Sequence, residues 1–431
     1  MKTWIRRVAL GAATCLALVS TTVPAAADVE PPRLAPRDCH AFPASGDEIP
    51  QAWHLDRLQM DQVWPVATGK GITVAVVDTG VAVVGSPYLP ADRITTYDLL
   101  GGMSAKDLEQ GGIDCLHGTQ VVGLLAGARA GMRPLDDRTN FSGIAPDVTV
   151  VSYRALRSSV GGQERDEDQQ DDVVATIEAI RHATSLGVDI INLSLVVPGG
   201  DPHLPELQAA VNDALAAGIV VVAAAGNAVE GMSGPAYPAS FDGVISVGMT
   251  TRSDAPAENS WPAPEGAPAV TIGAPGAGLM SIQPSSAIDE ATAFNQAYAD
   301  GIEGTSFAAP LVSGVVALML EENPGLSPMQ VRQRLIDTAD PSPNTAPGRQ
   351  LGFGIINPMR AIAGVELMPA DEPGGIERLP APPLPPPETR DMVPVYAAIA
   401  IGAGALVLAG LGLVLAITLP AARRRSSATA K

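Results

Sequence analysis

The chain has 431 residues, 46% hydrophobic and only 4% aromatic, with 27 basic and 46 acidic residues for a formal net charge of −19. Its length allows a large buried core, and the acidic excess excludes a nucleic-acid binder, which needs a basic footprint. Metal chemistry has no support either, because the sequence holds no His-Glu-x-x-His and no Cys-x-x-Cys.

The N-terminus carries Lys2, Arg6 and Arg7, an apolar run from Val8 to Val19 and then Ala25-Ala26-Ala27. This is the pattern of an export signal, residues 1–27. Cys15 leaves with the signal, so Cys39 and Cys115 remain in an exported chain and are expected to form a disulfide. That bridge ties an N-terminal extension, residues 28–66, to the segment ahead of His117.

A domain spanning residues 67–366 follows, and its pattern alternates strand and helix. The β-branched run ahead of Asp78 predicts a strand near 72–77, buried on both faces, with Asp78 at its carboxyl end, where catalytic groups collect in open α/β sheets. His117 opens a predicted helix near 118–127, and a strand near 148–153 comes next. The acidic run from Glu164 to Asp172 reads as a solvated loop, with Asp171 and Asp172 well placed at the start of a helix near 172–186. Docking of a basic partner on this run is the second reading. Further strands are predicted near 188–195, 219–225, 244–249 and 269–273, and further helices near 206–217, 305–321 and 328–338. Pro310 falls near the start of the helix that Ser306 opens. Such alternation implies an α/β fold, a parallel sheet covered by helices on both faces. His40, His54, His182 and His203 have polar or loop neighbours and read as solvated.

Residues 367–392 form a proline-rich linker expected to be a semi-rigid spacer in polyproline II. Residues 393–419 contain no charge and are long enough to cross a bilayer as one transmembrane helix. Arg423, Arg424 and Arg425 put the tail, 420–431, in the cytoplasm and the large domain outside the cell membrane. Without the basic residues of the signal and the tail, the outer part holds 20 basic against 46 acidic residues, net −26.

Taken singly, an Asp after a strand is a turn residue, and a His or Ser at a helix start is a cap. Taken together, the order of Val76-Val77-Asp78-Thr79-Gly80, His117-Gly118-Thr119 and Gly304-Thr305-Ser306-Phe307-Ala308-Ala309-Pro310 is specific. Residues Gly71 to Gly364 resemble the subtilisin-like serine peptidases. The resemblance implies Ser306 as nucleophile, His117 as general base and Asp78 as the carboxylate that orients it. It also implies that Asn227 and the Ser306 N–H bind the oxyanion. Ser194-Leu195-Val196 and Ala224-Ala225-Gly226 would wall the primary specificity pocket. Many members have glycine at the position of Val196, so a preference for small residues before the cut is expected. Tyr237-Pro238 matches a site where a cis bond is common. Many secreted members carry a folded inhibitory prodomain, but residues 28–66 are short for one and are expected to stay as a permanent wrap. No calcium or other cofactor is expected, since no dedicated loop is legible.

The layout of signal, cysteine-bearing extension, peptidase domain, proline-rich linker and span resembles the mycosins, membrane-anchored subtilases of type VII secretion systems. That resemblance implies a polypeptide substrate and other secretion-complex membrane proteins as partners. It also implies a second reading, a structural subunit with proteolysis secondary.

Overall fold

The computed structural model describes residues 30–34, 39, 51–83, 88–129, 139–157, 168–228, 234–265, 270–284, 298–342, 347–364, 403–404 and 406–413. The chain divides into two compact units, Met1–Pro369 and Ala370–Lys431.

The first unit is built on strands β1 (Thr73–Asp78), β2 (Ile94–Asp98), β3 (Thr149–Arg154), β4 (Ile190–Leu193), β6 (Val220–Ala224), β8 (Ile245–Thr250) and β9 (Ile272–Pro275). They form a parallel sheet in the order β2-β3-β1-β4-β6-β8-β9. Short strands β5 (Val197–Pro198) and β7 (Ala236–Tyr237) pair with each other, as do β10 (Ala277–Ile282) and β11 (Tyr298–Glu303).

Alternate residues of each strand serve two cores, which is why the strands read as continuous apolar runs. Val74 and Val76 join the core of helices α4 (Leu116–Ala126) and α7 (Thr305–Glu322). Ala75 and Val77 join that of α5 (Asp168–Leu186) and α6 (Leu204–Ala216). Among the described residues, α7 is the one helix long and apolar enough to cross a bilayer, and it is a buried core helix. Helices α8 (Pro328–Asp337) and α9 (Pro358–Ala363) close the domain. The sequence reading missed β2, the two hairpin-like pairs and the short helices α1 (Trp53–Arg57), α2 (Met60–Val63), α3 (Ala105–Gln110) and α9. The helices are too short to show a period, and β2 is an edge strand whose run carries polar Thr and Asp.

The extension is part of the main fold where it is described. Ala52, Leu55, Leu58, Met60 and Val63 are buried. Trp53 Nε1 donates to Gly278 O at 2.7 Å and Trp64 Nε1 to Ile144 O at 3.0 Å. Further upstream, Leu34 N donates to Thr96 O at 3.2 Å and Asp98 N to Pro32 O at 2.8 Å, so this segment covers the free edge of β2. Cys39 and Cys115 are joined by a disulfide with a Cα–Cα distance of 5.5 Å across a sequence separation of 76. Closing a loop of that length contributes about 4.5 kcal/mol in the chain-entropy model.

Two histidines differ from their reading as solvated. His182 Nδ1 lies 2.8 Å from the Tyr153 hydroxyl, and its ring stands edge-on to Tyr97 at 4.9 Å. His54 in α1 is fully buried, with no hydrogen-bond partner for either ring nitrogen among the described residues. Burial pushes its pKa from 6.5 down to about 3. Its immediate neighbours Trp53 and Leu55 are buried too, and the packing of α1 turns the ring inward with them. Below the unfolded pKa the unfolded chain binds a proton that the folded one refuses, so stability falls with pH from 6.5 toward 3, by about 1.4 kcal/mol per pH unit. A His54→Leu variant should lose that slope in denaturant midpoints measured from pH 7 to 4; an unchanged slope would exclude His54 as its source. His203 is half-buried, and His40 lies outside the described residues.

Asp172 does more than start a helix, because α5 begins at Asp168 and Asp172 pairs with Arg157 Nη1 at 2.8 Å. Glu164 to Glu167, the linker and most of the expected span lie outside the described residues. In the second unit, residues 403–404 and 406–413 are helical, and Leu406, Leu408, Leu411 and Leu413 are exposed.

Candidate active site

Asp78 ends β1 and is fully buried. Its Oδ1 accepts from Thr79 N at 2.7 Å and lies 2.8 Å from His117 Nδ1. His117 is the second residue of α4, and its Nε2 lies 2.9 Å from Ser306 Oγ, on the second residue of α7. Phe307 packs against the imidazole with ring centroids 5.0 Å apart. The tautomer with its proton on Nδ1, toward Asp78 Oδ1, would leave the Nε2 lone pair facing the serine hydroxyl.

The two threonines beside these groups lock strand turn and helix together. Gly118 N donates to Thr79 Oγ1 at 3.0 Å, and Ala82 N donates to Thr119 Oγ1 at 3.0 Å. Thr79 therefore accepts from the helix motif's backbone, and Thr119 from the backbone just beyond the strand motif. The approach is so close that a Cβ on Gly118 would sit well inside van der Waals contact of Gly80 O. Sequence reading singled out neither threonine; their place beside Asp78 and His117 was the available signal.

Asn227 lies just beyond β6, and its side chain is oriented by Thr305. Asn227 Oδ1 accepts from Thr305 N at 2.9 Å and from Thr305 Oγ1 at 3.1 Å, while Gly226 N donates to Thr305 Oγ1 at 3.1 Å. With Oδ1 engaged, the amide Nδ2 is the group turned toward the nucleophile. A Cβ on Gly304 would lie 3.0 Å from Ser306 Oγ and 3.4 Å from Asn227 Nδ2, so glycine keeps open the space between them. The N-terminus of the 18-residue helix α7 faces the same space and favours negative charge there.

The remaining predicted residues follow β4 or end β6, and two of them, Ser194 and Gly226, bond to α7. Leu195, Ala224 and Ala225 are buried, and Val196 is half-buried. Gly226 has φ 105°, a conformation that glycine adopts without strain. The Ser194 side chain is committed elsewhere, donating to Ser306 O at 2.7 Å. Tyr237-Pro238 is cis. Among the described residues, no group of three or more His, Cys, Asp or Glu side chains could hold a metal ion.

Residues 69–354 match the family model described as the subtilase family, peptidase S8. The chain is 30% identical over 412 residues to mycosin-1 of Mycobacterium tuberculosis, covering 86% of each. It resembles the solved structure of the serine protease MycP1, described as an essential component of the type VII (ESX-1) secretion system. The TM-score is 0.60 at 27% identity, over 77% of this chain and 94% of that one. It also resembles a chain in the structure of an intact ESX-5 inner membrane complex, with a TM-score of 0.56 at 28% identity, over 88% of this chain and 92% of that one.

Proposed function

The chain belongs to the subtilase family of serine endopeptidases, and from that premise we propose that it is an exported, membrane-anchored peptidase using Asp78, His117 and Ser306, working on polypeptides beside a type VII secretion complex. The observation that carries the reading is the continuous run of hydrogen bonds from Asp78 Oδ1 through His117 to Ser306 Oγ, at 2.8 and 2.9 Å. His117 Nε2 takes the hydroxyl proton as Ser306 Oγ attacks a peptide carbonyl, and Asp78 stabilises the imidazolium. The developing oxyanion is met by Asn227 Nδ2 and the Ser306 N–H. His117 then returns the proton to the leaving amine, and water releases the acyl group from Ser306 by the same relay.

The export signal at 1–27 and the uncharged segment 393–419 support a catalytic domain outside the membrane and a cytoplasmic tail. The linker between domain and span supports a spaced, tethered enzyme. A second reading, a structural subunit with proteolysis secondary, is favoured by the likeness to a chain of the ESX-5 inner membrane complex.

Incubating the purified protein with a peptide library, and mapping the fragments by mass spectrometry, tests the peptidase reading. Cleavage that a serine-directed phosphonate abolishes is the expected result; an intact library would contradict it. The half-buried Val196 narrows the pocket in this account, so residues before the cut should be small. Val196→Gly should shift the profile toward larger side chains by about tenfold in kcat/KM, the scale of one or two methylenes in a pocket. An unchanged profile would remove Val196 from the specificity pocket.

A further inference from the structure

Pro310 is the sixth residue of α7, past the first turn where a missing amide costs nothing. The residue four positions earlier is Ser306, whose carbonyl therefore receives no helical N–H. The nucleophile thus sits on the one turn of α7 that its own backbone leaves open.

A chain of side chains fills the gap. Ser194 Oγ donates to Ser306 O at 2.7 Å, Asn192 Nδ2 donates to Ser194 Oγ at 2.9 Å, and Ser313 Oγ donates to Asn192 Oδ1 at 2.9 Å. Asn192 and Ser313 are fully inaccessible, and Ser194 is 5% exposed. All three bonds run in the same donor direction, so each polarises the next. Ser306 and Ser313 are seven residues apart, two helical turns, and lie on the same face of α7 on either side of Pro310. The chain leaves the helix at Ser313, crosses Asn192 on β4 and returns to the helix at Ser306.

We infer that Ser313, Asn192 and Ser194 form a positioning relay that bridges the proline break and sets where Ser306 Oγ and its N–H stand. The relay rests on the peptidase reading above, but assigns these residues a role of their own. It also reassigns the Ser194 side chain, which resemblance alone puts in the substrate-binding strand. None of the three touches His117 or Asp78 through a bond found in the structure, so they act only through Ser306. A displacement of the nucleophile by about 1 Å can lower the rate by roughly 10²-fold.

The test is a double-mutant cycle on the full-length protein in detergent, with kcat, KM and the rate of phosphonate labelling measured for each variant. Ser194→Ala should lower kcat by about 10²-fold, with KM within about twofold. Ser313→Ala, two bonds further away, should lower kcat by about tenfold, and Ser313→Thr, which keeps the hydroxyl, should restore most of it. The Ser194→Ala/Ser313→Ala pair should be no worse than Ser194→Ala alone, because residues in one chain of bonds are non-additive. Labelling rates should follow kcat. A raised KM at unchanged kcat for Ser194→Ala, or additive losses in the pair, would overturn the relay. If Ser194→Ala does not fold, Ser313→Ala against Ser313→Thr decides alone: equal kcat in the two overturns it. A wild-type protein that neither cleaves nor labels would instead defeat the peptidase reading itself.

Discussion

Replacing Ser306 with Ala should abolish peptide cleavage, with kcat falling by about 10⁴–10⁶-fold, the range for loss of a triad member in serine peptidases. The reason is local. Among the described residues His117 Nε2 has one hydrogen-bond partner, the Ser306 hydroxyl 2.9 Å away, and the variant removes it. The fold should be unaffected, since only Oγ is removed and its bond to His117 joins the site's own groups to each other. Thermal unfolding should therefore stay within a few degrees of wild type. The same variant separates the two functional readings in cells. If the protein acts chiefly as a structural subunit, secretion should persist with Ser306→Ala and fail on deletion of the whole chain. If proteolysis is its principal contribution, both should fail alike.

Gly118→Ala should be nearly as damaging, although the residue carries no chemistry. A methyl group there would overlap Gly80 O, and neither the turn after β1 nor the first turn of α4 can yield independently. Thr79 and Thr119 cross-bond the two segments at 3.0 Å, so forcing them apart also stretches the 2.8 Å bond between Asp78 and His117. Overpacking of this kind costs about 1–3 kcal/mol, and a misplaced base costs roughly 10²-fold in rate. Enzyme assays with denaturant unfolding on one preparation would check both. Wild-type activity in Gly118→Ala would mean that the close approach of strand turn and helix does not position His117.

Asp78, His117 and Ser306 were legible because each sits at an element boundary with its own local signature. One ends an apolar strand, and two begin apolar helices. Asn227 was legible for the same reason, at the end of Val220–Ala224. The groups that hold these four residues were not. Asn192 looks like a polar residue inside a strand and Ser313 like a small residue inside a helix, and their pairing spans 121 positions. Thr305 and Thr79 look like ordinary neighbours of Ser306 and Asp78 until their partners are known. His54 shows the opposite failure. Its neighbours Trp53, Leu55 and Asp56 do not reveal that α1 packs its ring inward, because burial there is set by the domain and not by the helix. The central strands were readable from their apolar β-branched runs, whereas β2, whose run is Thr-rich, was not. Its sequence Ile-Thr-Thr-Tyr-Asp is that of an edge, and the extension segment at Leu34 covers that edge through contacts distant in sequence.

The account stands on Ser306 being activated by His117, and one measurement addresses this directly. Treating the full-length protein with a fluorophosphonate and locating the adduct by peptide mapping should give a single modified residue, Ser306. Labelling should be lost in His117→Ala and strongly slowed in Asp78→Asn. An adduct on another serine, or labelling of Ser306 at the wild-type rate without His117, would contradict the account.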